Sequence, residues 1–191
     1  RPKGALPLAG GWTWFSQVEV LTRGAPSRIA SLADLDAETR DRLSAPRADF
    51  GGLTLDRPRI MGILNITPDS FSDGGQFMDD PAVAADHAAS MLEAGAAIID
   101  VGGESTRPGA AAVWEGDELK RVVPMVERLA ASGAAISIDS RRPAVMEAAL
   151  AAGAHIINDV SALRHDPRSL EFAARSGAPV VLMHAPGEGD D

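Results

Sequence analysis

The stretch Gly95-Ala-Ala-Ile-Ile-Asp100 recurs with small changes along the chain. It returns as Gly133-Ala-Ala-Ile-Ser-Ile-Asp139, as Gly153-Ala-His-Ile-Ile-Asn158 and as Gly177-Ala-Pro-Val-Val-Leu-Met-His184. Each copy follows an Ala-rich run with helical character. Gly stands where a helix ends in a left-handed residue. The short β-branched run behind it reads as a strand buried on both faces. A polar residue then closes the strand. Arg59 to Asn65 reads as an earlier strand of the same type.

Helices fill the intervals. Pro81 opens one, and the span from Glu115 to Ala131 carries Leu119, Val122, Val123, Val126 and Leu129 at helical spacing. Pro143 and Pro167 open two more. Strand–helix alternation predicts a parallel sheet with right-handed crossovers. The fold class is therefore α/β. Polar residues Asn65, Asp100, Asp139, Asn158 and His184 are expected together at one end of the sheet. Catalytic groups drawn from several strand ends suit a (β/α)8 TIM-type barrel. A doubly wound sheet would gather them at one switch point, and no Gly-x-Gly-x-x-Gly loop follows a strand here. About five strands are expected, so roughly three βα units of a full barrel are wanting.

Residues 59–191 are thus read as the N-terminal portion of a barrel, and residues 1–58 as an accessory region over its other end. In that region Gly11 to Leu21 alternates like a strand, and Ser31 to Leu43 reads as a short helix. Ser31 with Asp34 resembles a capping box, and Phe50 to Leu55 a hairpin. The 191 residues are 45% hydrophobic, enough for a core, and no apolar run approaches a membrane span. No Cys is present, which excludes disulfides and thiolate metal sites. A net charge of −9 argues against a nucleic-acid surface. The expected location is the cytoplasm.

Two polar loops interrupt the pattern. The first begins at Asn65 and runs through Phe71 and Asp73 to about Asp80, longer than a strand-to-helix connection needs. The second, Gly102 to Gly109, holds Thr106, Arg107 and Pro108. Arg107 can grip phosphate oxygens bidentately, or can be a solvated surface residue. Asp139 and Asn158 offer the acceptors and donors that a flat heterocycle needs, or a structural Asp–Asn hydrogen bond. Phe71 either stacks on an aromatic ligand or anchors its loop. His184 is an acid–base candidate or a satisfied strand-end histidine. His87, His155 and His165 lack the spacing of metal ligands.

Asn65-Ile-Thr-Pro-Asp-Ser-Phe-Ser-Asp-Gly-Gly75 and Gly103-Glu-Ser-Thr-Arg-Pro-Gly109 resemble the two signature loops of the dihydropteroate synthases. The strand ends at Asp139, Asn158 and His184 match that family in order and spacing. The resemblance implies condensation of p-aminobenzoate with 6-hydroxymethyl-7,8-dihydropterin diphosphate, giving 7,8-dihydropteroate and diphosphate. It implies Mg²⁺ near Asn65, and pterin held by Asp139 and Asn158 beside Val160 and Met183. Thr106 and Arg107 would contact substrate, with Phe71 and Pro108 bordering the p-aminobenzoate site. Arg107 would neutralise the departing diphosphate, and Asp73 would stabilise a cationic pterin methylene or order its loop. The implied partners are these two small molecules, with a homodimer admitted and neither nucleic acid nor membrane expected. Later family residues, an Asp, a Lys and an Arg-x-His, lie beyond Asp191, so the chain alone is expected to be inactive or nearly so. A non-catalytic pterin-binding remnant and a pterin-dependent methyltransferase are the alternatives.

Overall fold

The structure, a computed structural model, describes residues 2–66, 81–105 and 112–184. The chain forms two compact units, Arg1–Pro58 and Arg59–Asp191. The first is built from short elements. Strands β1 (Leu6–Pro7) and β2 (Trp14–Phe15) pair antiparallel, as do β3 (Gln17–Val20) and β4 (Arg28–Ser31). The single strand expected over Gly11 to Leu21 is thus two, divided between two sheets. Ser31 and Asp34 do form a capping box, but around a 3-10 turn, Leu32–Asp34. The helix follows separately as α1 (Ala37–Ser44), with Asp36 accepting from the Thr39 N–H at 2.7 Å. The expected hairpin at Phe50 to Leu55 reduces to one bridge, Phe50 to Leu53, across Gly51 and Gly52. Among the described residues of this unit only Ala5 and Ala30 are buried apolar side chains.

The second unit carries the repeat. Its strands are β5 (Met61–Asn65), β6 (Ile98–Gly102), β7 (Ala135–Asp139), β8 (Ile156–Asp159) and β9 (Val180–Leu182). They form one parallel sheet in sequence order. Helices α2 (Pro81–Glu93), α3 (Glu115–Ala130), α4 (Pro143–Ala152) and α5 (Ser169–Ser176) alternate with them. Pro143 sits in the first turn of α4 as expected. Helix α5 starts two residues past Pro167, because Asp166 turns the chain there by accepting from the Arg168 N–H at 2.8 Å. The four repeat glycines all lie at positive φ: Gly95 at 105°, Gly133 at 77°, Gly153 at 114° and Gly177 at 69°. A β-carbon would strain that conformation.

Alternation along each strand sorts the core. Leu64, Ile99, Val101, Ile136, Ile138 and Ile157 pack against Ala84, Ala88, Val122, Met125, Val126, Val145, Met146 and Ala173 from the helices. These strand residues share one register face. One helical layer on one face is the arrangement of a βα-barrel, whereas a doubly wound sheet is covered on both. Among the described residues the barrel is not closed: they form five strands of this sheet, with β5 and β9 at its edges. Ile63, on the other face, is 63% exposed in consequence.

Candidate functional site

The register fixes the site. Asn65 pairs with Gly102, Gly102 with Asp139, Asp139 with Asn158 and Asn158 with Val181. Residues in register across a parallel sheet point to the same face. Asn65, Asp139 and Asn158 therefore stand in one layer at the carboxyl ends of their strands, on the face away from the helices. A β-carbon on Gly102 would fall 2.9 Å from Asn65 Oδ1 and 3.6 Å from Asp139 Oδ2. Glycine at that point leaves a gap between the two side chains.

Asp100 is not a strand end, because β6 continues to Gly102. It lies one layer deeper on the same face, in register with Ile63 and Ser137. Asn158 Nδ2 donates to Asp100 Oδ2 at 3.0 Å, so the Asp–Asn hydrogen bond forms with Asp100 and not with Asp139. The bond reaches across the intervening β7, which a concave face allows. Asp100 was expected only as one polar end among five. Its inward role was not legible, since the sequence did not mark where β6 stops. The Asp100 Oδ1 and Ser137 Oγ atoms are buried without a hydrogen-bond partner among the described residues.

The electrostatics of this face are one-sided. Asp139 accepts no hydrogen bond from a described residue. Burial, then the charges of Asp100, Asp159, Glu118 and Glu104, push its carboxyl up to about 7. Burial also raises Asp100, against the opposing pull of the hydrogen bond from Asn158. Among the described residues no cation offsets these carboxylates, an electrostatic setting that hydrogen-bond donors would relieve.

The remaining expectations divide. Asp159 is buried and faces the other way, accepting from the Ser161 N–H at 2.7 Å and the Leu163 N–H at 3.0 Å. It shapes a turn in which Ala162 and Leu163 take positive φ, 54° and 62°. Met183 lines an open cavity of about 500 Å³ with Ala162, Arg164, Leu182 and His184, just past β9. Val160 is half-buried at the end of β8, outside that lining. His184 lies beyond its strand and is exposed. Phe71, Asp73, Thr106, Arg107 and Pro108 lie outside the described residues. Among the described residues no three His, Asp or Glu side chains converge as a metal site.

On the helix face of the same rim, a second cluster surrounds the start and end of the β6–α3 connection. Glu104 accepts from Arg142 Nη1 at 2.9 Å, Arg142 Nη2 at 3.0 Å, Arg141 Nε at 3.2 Å and the Val113 N–H at 3.1 Å. Arg142 also donates to Glu118 and, at 2.7 Å, to the Val113 carbonyl. Burial alone would raise the Glu104 carboxyl, but Arg142, Arg141 and the Val113 N–H together hold it below its ordinary value. This cluster was not anticipated. The signal available was Glu104 in a turn and an Arg pair ahead of Pro143, both of which read as solvated charges.

Residues 61–191 match the family described as "Pterin binding enzyme". A dihydropteroate synthase of Bacillus subtilis is 51% identical over 126 residues, 65% of this chain and 44% of the relative. A probable bifunctional folylpolyglutamate synthase/dihydropteroate synthase of Haloferax volcanii is 44% identical over 189 residues, 90% of this chain and 22% of the relative. That match reaches well into residues 1–58. The solved Xanthomonas albilineans dihydropteroate synthase with 4-aminobenzoic acid superposes with a TM-score of 0.67 at 53% identity, covering 77% of this chain and 55% of that one. The chain spans about half the length of the dihydropteroate synthases it matches.

Proposed function

This chain belongs to the pterin-binding enzyme family, and on that premise we propose that the protein it represents condenses p-aminobenzoate with 6-hydroxymethyl-7,8-dihydropterin diphosphate. The products are 7,8-dihydropteroate and diphosphate, a step of folate synthesis. The observation that carries the reading is the layer of Asn65, Asp139 and Asn158 over Asp100, with carboxylates no described cation offsets. A pterin edge presents an amino group beside a ring N–H, and the two oxygens of Asp139 accept from both. Asn158 adds a carbonyl acceptor from the next strand. Asp100, bonded to its amide nitrogen, holds that side chain so the carbonyl faces the ligand. Docking such a donor edge stabilises the ionised form of Asp139.

The amine of p-aminobenzoate is the nucleophile, so no side-chain nucleophile is needed. Its nitrogen bonds to the pterin methylene carbon, the carbon–oxygen bond to diphosphate breaks, and the amine loses a proton. Arg107 is placed by its loop's resemblance to stabilise the charge on the leaving diphosphate. Asp73 stabilises positive charge on the methylene. Thr106 contacts substrate, Phe71 and Pro108 border the p-aminobenzoate, and Val160 and Met183 flank the pterin. Mg²⁺ suits this rim: Asn65 Oδ1 is a hard oxygen donor, and Gly102 leaves space beside it that a β-carbon would fill. When bound there with substrate phosphates, the ion would neutralise diphosphate charge. A cytoplasmic location and a homodimeric assembly complete the proposal. Neither a nucleic acid nor a membrane is a partner in it; no helix among the described residues is long and apolar enough to cross a membrane.

The test is calorimetry with pterin diphosphate on the full-length protein. Asp139→Ala lowers affinity at least a hundredfold while the fold persists by circular dichroism. An unchanged affinity removes Asp139 from the site and the reading with it.

A further inference from the structure

The cluster on the helix face has more bonds than a cap requires. One guanidinium, Arg142, joins three pieces of chain: Glu104 just after β6, Val113 just before α3, and Glu118 within α3. Glu104 grips the same Val113 through its N–H, so Val113 is held by both its backbone groups. Arg121 ties in the Gly103 carbonyl at 3.0 Å. The other end of the device is β7. Arg142 follows Asp139 by three residues, its N–H donates to Ser140 Oγ at 3.2 Å, and the Ser140 N–H donates to the Asn158 carbonyl at 3.1 Å. The backbone that presents Asp139 and Asn158 and the two ends of the β6–α3 connection thus meet at one residue, Arg142, the first through its backbone N–H and the second through its guanidinium.

Stability alone is a poor reason for such a cluster, since buried ion pairs are often matched or bettered by apolar packing. What a planar, bidentate guanidinium adds is geometry. Glu104 is almost fully buried and Glu118 fully so, and both close on Arg142. The side-chain hydrogen bonds of Glu104, Glu118, Arg141 and Arg142 run to one another and to Val113, and not to the Asp139 or Asn158 side chains.

We propose that Glu104 and Arg142 are positioning residues, which hold Glu104 and Val113, the two anchors of the β6–α3 connection, in a fixed relation to Asp139. The proposal rests on the synthase reading for its kinetic consequence, because that connection supplies the expected contacts to p-aminobenzoate and diphosphate. Its structural content stands apart from that reading.

Amide hydrogen exchange followed by NMR on the full-length protein tests the tether. In Arg142→Lys the Val113 amide exchanges at least tenfold faster, while Ile138 and Ile157 in the neighbouring strands stay within twofold of the parent. Glu104→Gln, which keeps the size of the side chain and removes its charge, gives the same pattern and serves if Arg142→Lys does not fold. Unchanged protection at Val113, or equal loosening of all three amides, overturns the proposal. In steady-state assays kcat/KM for p-aminobenzoate falls at least tenfold in Arg142→Lys. A lowered melting temperature with unaltered kinetics also overturns it. A parent protein that makes no dihydropteroate sinks the synthase reading instead, and the exchange at Val113 then decides the tether by itself.

Discussion

On the inner face of the strand ends, Asp100 and Asp139 stand near one another with Asn158 bonded to the deeper of the two. A few residues away on the helix face, Glu104 and Glu118 close on Arg141 and Arg142. All four acids are largely buried, and the proton affinities of Asp139 and Glu104 part. Burial and the neighbouring charge of Asp100 lift Asp139 to about 7, whereas the arginines pull Glu104 below its ordinary value despite its burial. Burying a charge without a partner is costly, so a fold keeps such a group where something else pairs with it. The acids of the helix face meet arginines, whereas Asp139 meets no cation among the described residues. The two faces of one sheet edge separate these settings by two or three residues of chain beyond Gly102 and Asp139.

Breaking the compensated side should have the largest effect. Arg142→Met leaves Glu104 and Glu118 buried close together with only Arg141 at hand. Removing one partner of a buried pair costs about 3–5 kcal/mol. Urea unfolding of the ligand-free protein should show a loss of that size. A loss under about 1 kcal/mol would mean that water reaches the cluster and that its acids are no better compensated than Asp139.

The next effect is a matter of pH, with opposite signs on the two faces. The Asp139 pKa rises on folding, from 3.8 to about 7. What it contributes to stability is complete below the unfolded value and is lost as pH climbs through 7. Asp139→Asn, which cannot ionise, should therefore stabilise the ligand-free protein more at pH 8 than at pH 5, by about 2–3 kcal/mol. Glu104 has a lowered pKa, so its contribution is present above the unfolded value and fades as pH falls through the folded one. Glu104→Gln should accordingly cost more at pH 8 than at low pH. Thermal melts of Asp139→Asn at pH 8 and pH 5, and of Glu104→Gln at pH 8 and well below its unfolded value of 4.5, check the pair of signs. A shared sign would collapse the distinction between the faces.

Most of the sheet was legible because its signals are local. Glycine at a helix end, a β-branched run and a polar stop recur at Gly95, Gly133, Gly153 and Gly177, and each dictates its own turn and strand. The layer of Asn65, Asp139 and Asn158 followed from counting those stops. Asp100 did not, because Val101 and Gly102 extend β6 by two residues and no local signal separates a strand residue from a loop residue there. The pairing of Asn158 with Asp100 spans 58 residues of sequence, and that of Arg142 with Glu104 spans 38. Contacts of that range are set by register and curvature, which a linear pattern does not encode. The short strands of residues 1–58 were misjudged for a different reason. With two buried apolar side chains among its described residues, that unit has little periodicity to read.

The smallest expected difference is also the closest comparison, because it concerns two adjacent residues. Gly102 faces the inner layer and Gly103 the helices. A β-carbon on Gly103 would lie 2.7 Å from Val122 Cγ1, 3.0 Å from Glu118 Cγ and 3.3 Å from the Glu118 carbonyl oxygen, all fixed parts of α3 or its packing. Overpacking of this kind costs about 1–3 kcal/mol. A β-carbon on Gly102 would meet Asn65 Oδ1 at 2.9 Å, the far end of a side chain and not backbone or a core atom. Gly102→Ala should therefore change stability by less than about 1 kcal/mol, partly offset by the reduced freedom of the unfolded chain. It should still fill the gap between Asn65 and Asp139 and weaken pterin diphosphate binding at least tenfold. Gly103→Ala should show the reverse, a clear loss of stability with affinity nearly kept in the folded fraction. Measured side by side by urea titration and calorimetry, the two variants assign ligand work to one face and structural work to the other. If Gly102→Ala proves the more damaging to the fold, the inner layer is part of the core, and the raised proton affinity of Asp139 needs another explanation.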